Sequence, residues 1–202
     1  MKLEKNIKNI IFDLGGVILN IDYQKTIDEF KRLGVENFDK IFSQFKQSPF
    51  SDDFETGKIT EEQFYEEIKK LTKIDFSFEQ FKFAWNAMLL DLPEIRIEVL
   101  KQLKSDYNLY LYSNTNKTHY QEFYTKVKED FDVIFKKTYY SHLFGRRKPD
   151  VSSFETILKE NNLNPKETLF LDDSIQHIES AKKIGIQTLL IENKPIEELF
   201  KF

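Results

Sequence analysis

Four short groups of oxygen- and nitrogen-bearing side chains are spaced along this 202-residue chain: Asp13, Ser113-Asn114-Thr115, Lys148-Pro149-Asp150 and Asp172-Asp173-Ser174. Singly, each has a plain structural use. An Asp or Ser that closes a strand commonly caps the next helix, and a lone Lys is usually a solvated charge. Brought together they form a chemical set. Three carboxylates side by side repel one another and raise each other's pKa unless a cation intervenes. An all-oxygen set without His or Cys suits Mg²⁺, which takes one or two carboxylates together with waters and phosphate oxygens. A carboxylate beside that ion can attack a phosphoryl group and become an aspartyl-phosphate. A Lys and a Ser hydroxyl can hold the remaining equatorial oxygens, where charge develops.

A parallel sheet is what would gather these groups. Asn9–Asp13, Leu109–Ser113, Thr168–Asp172 and Ile186–Ile191 are short apolar runs that read as buried strands, and the first three end on the polar groups. Either Asp132–Phe135 or Lys137–Ser141 supplies a fifth. Helical patterns alternate with them at Ile95–Leu103, His119–Val127, Ser153–Leu158 and Ile178–Ile184. That alternation predicts an α/β fold with a Rossmann-like doubly wound parallel sheet, in which ligands sit outside the carboxyl ends of the strands.

Residues 18–94 break the alternation and read as helical throughout. Thr60-Glu61-Glu62-Gln63 and Ser77-Phe78-Glu79-Gln80 are capping-box patterns. Phe64, Ile68 and Leu71 then share one face, as do Phe81, Trp85 and Met88. The expected organisation is a catalytic core of residues 1–17 and 95–202 with a helical domain, 18–94, inserted after the first strand. This insert holds 10 Lys and Arg against 16 Asp and Glu, and 11 of the 20 Phe, so it is acidic and rich enough in rings to pack a core of its own.

Phe12-Asp13-Leu14-Gly15-Gly16-Val17, Ser113-Asn114, Lys148-Pro149-Asp150 and Leu171-Asp172-Asp173-Ser174 together resemble, in order, the four motifs of the haloacid dehalogenase superfamily. The resemblance implies Asp13 as nucleophile, Ser113 and Lys148 as phosphate-binding groups, and Mg²⁺ as cofactor. The metal would be held by Asp13, the Gly15 carbonyl, Asp172 and Asp173, with Asp173 as a direct ligand and Asp172 bound directly or through water. Asn114 and Arg147 would add to substrate binding, Arg presenting a planar fork to phosphate oxygens. The helical insert matches the family's cap. The implied activity is hydrolysis of a small phosphorylated metabolite, and the Phe-Asp-Leu-Gly start with Arg147-Lys148-Pro149-Asp150 is similar to a branch containing α-D-glucose-1-phosphate phosphatases.

One departure stands out. The phosphatase pattern has a second Asp two residues after the nucleophile, serving as general acid and then base, and here that position is Gly15. Such a group typically contributes about 10²–10⁴-fold. The loss matters least for a good leaving group such as an anomeric or acyl oxygen. Asp22 and His119 are nearby candidates to replace it, although Asp22 also reads as a helix cap and His119 as a residue on a helix surface. His177 is expected to partner the acidic pair or to stand exposed. The alternatives are a catalytically weak phosphate-binding or interaction protein, a phosphotransferase, and a metal-independent 2-haloacid dehalogenase; the last has no use for the Asp172-Asp173 pair.

Composition narrows the field further. The absence of Cys removes disulfides, thiolate metal sites and a cysteine nucleophile. A net charge of −4 argues against a nucleic-acid binder, which needs a basic face. The charged start, Met1-Lys2-Leu3-Glu4-Lys5, and the lack of a long apolar run lead to the expectation of a cytoplasmic protein without a membrane segment.

Overall fold

A computed structural model describes residues 3–46, 48–192 and 194–200. Five strands, β1 (Asn9–Phe12), β2 (Asn108–Ser113), β3 (Lys137–Tyr140), β4 (Thr168–Asp172) and β5 (Gln187–Leu190), form one sheet in the order β3-β2-β1-β4-β5. All four pairings are parallel. The fifth strand is therefore the Lys137 run; Asp132 to Ile134 instead finishes the long helix that precedes it.

The strands sort their side chains by parity. Ile10, Phe12, Leu109, Leu111, Leu169 and Leu171 face one cluster, whereas Ile11, Tyr110, Tyr112 and Phe170 face the other. The first cluster is closed by α6 (Glu94–Asp106) and α7 (Lys117–Ile134), the second by α9 (Val151–Glu160) and α10 (Ile175–Lys182). Helices on both faces explain why these strands are continuously apolar. The sheet is doubly wound, as the alternation predicted. After β1 the chain builds outward through β2 to β3, then crosses back to place β4 on the other side of β1. The reversal leaves a crevice beside the end of β1, where open α/β sheets bind ligands.

Between β1 and α6 lie α1 (Tyr23–Arg32), α2 (Phe38–Lys46), α3 (Pro49–Glu55), α4 (Glu61–Thr72) and α5 (Phe78–Asn86). They surround an aromatic cluster of their own, with Phe30 stacked on Phe38 at 3.8 Å and Phe54 on Phe64 at 3.9 Å. Both expected capping boxes form, at Thr60/Gln63 and Ser77/Gln80. Leu71 departs from the expected stripe: it lies in the last turn of α4, past the cluster's edge at Ile68, and is 47% exposed. The two chain crossings into this unit are not helical either. Residues 19–22 and 88–91 run side by side and pair through Asn20 N to Asp91 O, Leu90 N to Asn20 O and Asp22 N to Met88 O. Among the described residues, no helix is long and apolar enough to cross a membrane.

Candidate active site

Strand register builds the centre of the site. Phe12 pairs with Leu111 on one side and Leu171 on the other, so one step further Tyr112, Asp13 and Asp172 stand abreast. Lys148, wholly buried, comes from the loop before α9 and sets its ammonium against all three. Its Nζ donates to Asp13 Oδ1 at 2.7 Å, Asp172 Oδ2 at 2.6 Å and the Tyr112 carbonyl at 3.0 Å. An ammonium has three hydrogens, and all three are used.

The two carboxylates share this cation unequally. Asp172 also accepts from Ser174 N at 2.8 Å and His177 Nδ1 at 2.9 Å, and it is fully buried. Burial alone would raise its pKa, but Lys148 and His177 outweigh that and hold it at about 2. Asp13 lacks the extra donors. Burial pushes it up to about 7, against the pull of Lys148 and with Asp172 adding to the rise. Burial likewise opposes the charge on Lys148, yet Asp13 and Asp172 hold the ammonium above the ordinary lysine range.

Asp173 completes the acidic group. One oxygen from each of Asp13, Asp172 and Asp173 lies within 4.8 Å of the others, and Asp173 is the exposed member. Its approach depends on Gly16, which has φ +76°; a Cβ there would fall within 2.2 Å of Asp173 Oδ2. Burial and the charge on Asp172 raise the Asp173 pKa. This donor set is hard oxygen carried by carboxylates that repel, which fits Mg²⁺.

The other expected residues fall around this centre in different ways. Ser113 ends β2 and lines the same cavity, its hydroxyl making only a long 3.4 Å contact to Asn114 O. Gly15 also lines it. Asn114 spends its amide on the Lys148 backbone, donating to Lys148 O at 2.8 Å and accepting from Lys148 N at 2.9 Å. It thereby holds the loop that delivers the lysine. Arg147 turns away from the carboxylate centre to α3, pairing with Asp52 and, through Nε at 2.9 Å, with Glu55 Oε2.

Neither candidate replacement acid is placed for that task. Asp22 caps α1, accepting from Gln24 N at 2.9 Å. His119 is wedged between sheet and helices, its Nε2 3.1 Å from Trp85 O and its Nδ1 3.1 Å from Asn116 Nδ2. A carbonyl can only accept, so Nε2 carries the proton and Nδ1 accepts from the amide.

The cavity, about 600 Å³, runs from Asp13 and Asp173 to a wall supplied by the helices, including Tyr23, Ser51, Glu55 and Trp85. Burial, with Asp173, Asp13 and Glu55 nearby, pushes the Tyr23 hydroxyl up to about 12. Sequence reasoning missed these wall residues because they sit in ordinary amphipathic helices with no motif. Gly16 was open to detection: a second glycine directly after Gly15 signals a close approach or a positive φ.

Comparison with known proteins agrees with this geometry. The chain is 31% identical over 192 residues to a D-ribitol-5-phosphate phosphatase of Bacteroides thetaiotaomicron, covering 93% of each. A crystal structure of a HAD-family enzyme from the same organism superposes with TM-score 0.88 at 32% identity, covering 98% of this chain and all of that one. An Asp-to-Ala variant of that enzyme, with magnesium and inorganic phosphate bound, also gives 0.88, at 31% identity over 97% of this chain and 100% of that one. A HAD-like hydrolase of Porphyromonas gingivalis gives 0.83 at 27% identity, covering 97% and 98%. With residues 7–185 matching the family itself and the four polar groups gathered at the strand ends, the chain belongs to the haloacid dehalogenase-like hydrolases.

Proposed function

We propose that the protein is a Mg²⁺-dependent phosphomonoester hydrolase that acts on a small polyol or sugar phosphate through an aspartyl-phosphate on Asp13. The observation that carries this reading is the row of Asp13 and Asp172 bridged by buried Lys148, with Asp173 beside them at the cavity floor. The similarity to a D-ribitol-5-phosphate phosphatase and to an enzyme crystallised with magnesium and phosphate supports it. Asp13, the Gly15 carbonyl and Asp173 would hold the ion, with Asp172 bonded directly or through water. When bound, Mg²⁺ supplies positive charge that relieves carboxylate repulsion and stabilises the phosphoryl oxygens.

The protein's own part follows from the contacts. Lys148 fixes Asp13 Oδ1 and, among the described residues, Asp13 Oδ2 takes no hydrogen bond. That oxygen is the nucleophile. It bonds to phosphorus as the ester P–O bond breaks, and the leaving oxygen takes its proton from solvent water to depart as the alcohol. Water then attacks phosphorus, releasing phosphate and restoring the carboxylate. Ser113 Oγ gives up only its long 3.4 Å contact to Asn114 O to donate to an equatorial oxygen, whereas Lys148 must exchange one of its three bonds. Gly15 gives the leaving alcohol no proton, so good leaving groups react faster. Helices α1–α5, within residues 18–94, act as the cap that encloses the alcohol.

A phosphate-release screen over polyol and sugar phosphates, with and without Mg²⁺, tests the reading. Asp13→Asn is expected to lose activity on the order of 10³-fold or more while keeping its thermal midpoint in metal-free buffer within a few degrees. Wild-type rates in that variant would remove Asp13 from the nucleophile's role.

A further inference from the structure

The far wall of the cavity carries a charge arrangement that the chemistry at Asp13 does not use. Arg147 directly precedes Lys148, yet its guanidinium pairs with Asp52 and Glu55 of α3. One cation thus serves two carboxylates, of which Glu55 lines the cavity. Glu55 and Arg147 both line the cavity shared with Asp13, Ser113 and Asp173, and the Tyr23 hydroxyl is close enough to feel Glu55 and both catalytic carboxylates. The surrounding stretch, 18–94, is itself acidic, with 16 Asp and Glu against 10 Lys and Arg.

We propose that Glu55, steadied by Arg147, is the specificity-determining side chain for the leaving alcohol, accepting hydrogen bonds from its hydroxyls and excluding esters that carry a second anionic group. The inference rests on the phosphatase reading and deepens it. An ionised carboxylate offers about four lone-pair sites, so Glu55 can accept O–H donors while it stays paired with Arg147. A second carboxylate or phosphate on the substrate would meet a like charge at Glu55, whose side chain is about three-quarters buried. Arg147, which would otherwise attract such a group, is already occupied by two acids. The favoured class is the phosphate ester of a neutral, hydroxylated alcohol.

A matched pair of substrates tests this, because glycerol 3-phosphate and 3-phosphoglycerate differ mainly in whether the end remote from phosphate is a hydroxymethyl or a carboxylate. The ratio of kcat/KM between them is measured with Mg²⁺ for wild type, Glu55→Gln and Glu55→Asp. The expected result is a wild-type preference for glycerol 3-phosphate of about tenfold or more, carried mainly in KM. Glu55→Gln should shrink it about tenfold, and Glu55→Asp, which keeps the charge, should retain most of it. No wild-type preference, or the same preference in Glu55→Gln, overturns the role of Glu55. Thermal midpoints of both variants identify any loss due to misfolding, and Glu55→Asp then decides. If wild type releases no phosphate in a Mg²⁺-dependent way even from p-nitrophenyl phosphate, the phosphatase reading fails and this inference falls with it; release from that ester without discrimination overturns Glu55 alone.

Discussion

At the scale of residues, the site is a problem of too many carboxylates for one cation. Lys148 neutralises one unit of charge, and Asp172, with the added donors Ser174 N and His177, takes most of the benefit. Asp13 is left short, which is why its pKa is pushed up to about 7 while Asp172 is held near 2. The consequence for metal-free protein can be worked through in sign. Between the ordinary Asp value of 3.8 and about 7, the folded chain keeps a proton on Asp13 that the unfolded chain has lost. Folding is therefore favoured on the acidic side of this window, and that contribution disappears as pH rises through about 7. Asp172 remains ionised throughout. Because Mg²⁺ requires the carboxylate and displaces its proton, the metal's stabilisation should grow over the same rise. Thermal midpoints with and without Mg²⁺, measured well below and well above pH 7, should show the larger increment on the alkaline side. An equal increment at both would mean that Asp13 does not hold the proton. Asp13, Lys148 and the Asp172-Asp173 pair were legible from sequence because each stands at a strand end or precedes a proline at a diagnostic place. Glu55 was not, since its importance arises from a pairing with Arg147 across 92 positions of chain.

At the scale of elements, periodicity carried most of the information. The strands showed as short apolar runs because both faces of the sheet are covered, and their parity then assigned each side chain to one of two clusters. The two capping boxes were readable because they are local hydrogen-bond pairs. The crossings at 19–22 and 88–91 were not, since their hydrogen bonds join segments about 70 residues apart and leave no local pattern. Nor could the pattern show where α4 outruns its neighbours, so Leu71 was placed with Phe64 and Ile68. The helical unit depends on a few rings, and Phe64 is central among them: it stacks on Phe54 at 3.9 Å, meets Trp85 at 4.8 Å and is fully buried. Phe64→Ala should cost about 3–5 kcal/mol, which chemical denaturation followed by Trp85 fluorescence would measure. A loss below about 1 kcal/mol would mean that the cluster refills the space.

At the scale of the whole molecule, function depends on how the aromatic helical unit is seated on the sheet. Several ties hold it there. Thr118 Oγ1 donates to buried Glu61 at 3.0 Å, Lys117 reaches the other Glu61 oxygen at 3.3 Å, and His119 joins Trp85 O at 3.1 Å. Arg147 grips Asp52 and Glu55. Between these lies a contact with no side chain on one side: Gly57, just after α3, has φ +72°, and a Cβ there would lie 2.1 Å from the His142 carbonyl. That carbonyl belongs to α8 (Ser141–Phe144), whose Ser141 hydroxyl donates to Thr115 O and accepts from Thr115 N beside the Ser113 motif. Backbone cannot yield as a flexible side chain would, so Gly57→Ala must either distort the positive-φ turn or push α3 away from the sheet. The strained turn alone should cost about 1 kcal/mol or more. Displacing α3 also draws Glu55 and Asp52 from Arg147 and widens the cavity's far wall, whereas Asp13, Lys148, Asp172 and Asp173 all stand on the sheet side. Gly57→Ala should therefore lower the thermal midpoint and raise KM for a polyol phosphate severalfold, with Mg²⁺ affinity kept close to wild type. Weakened Mg²⁺ binding alongside the higher KM would place the damage at the strand ends, and an unchanged KM would mean that the close approach at Gly57 does not set the position of the wall.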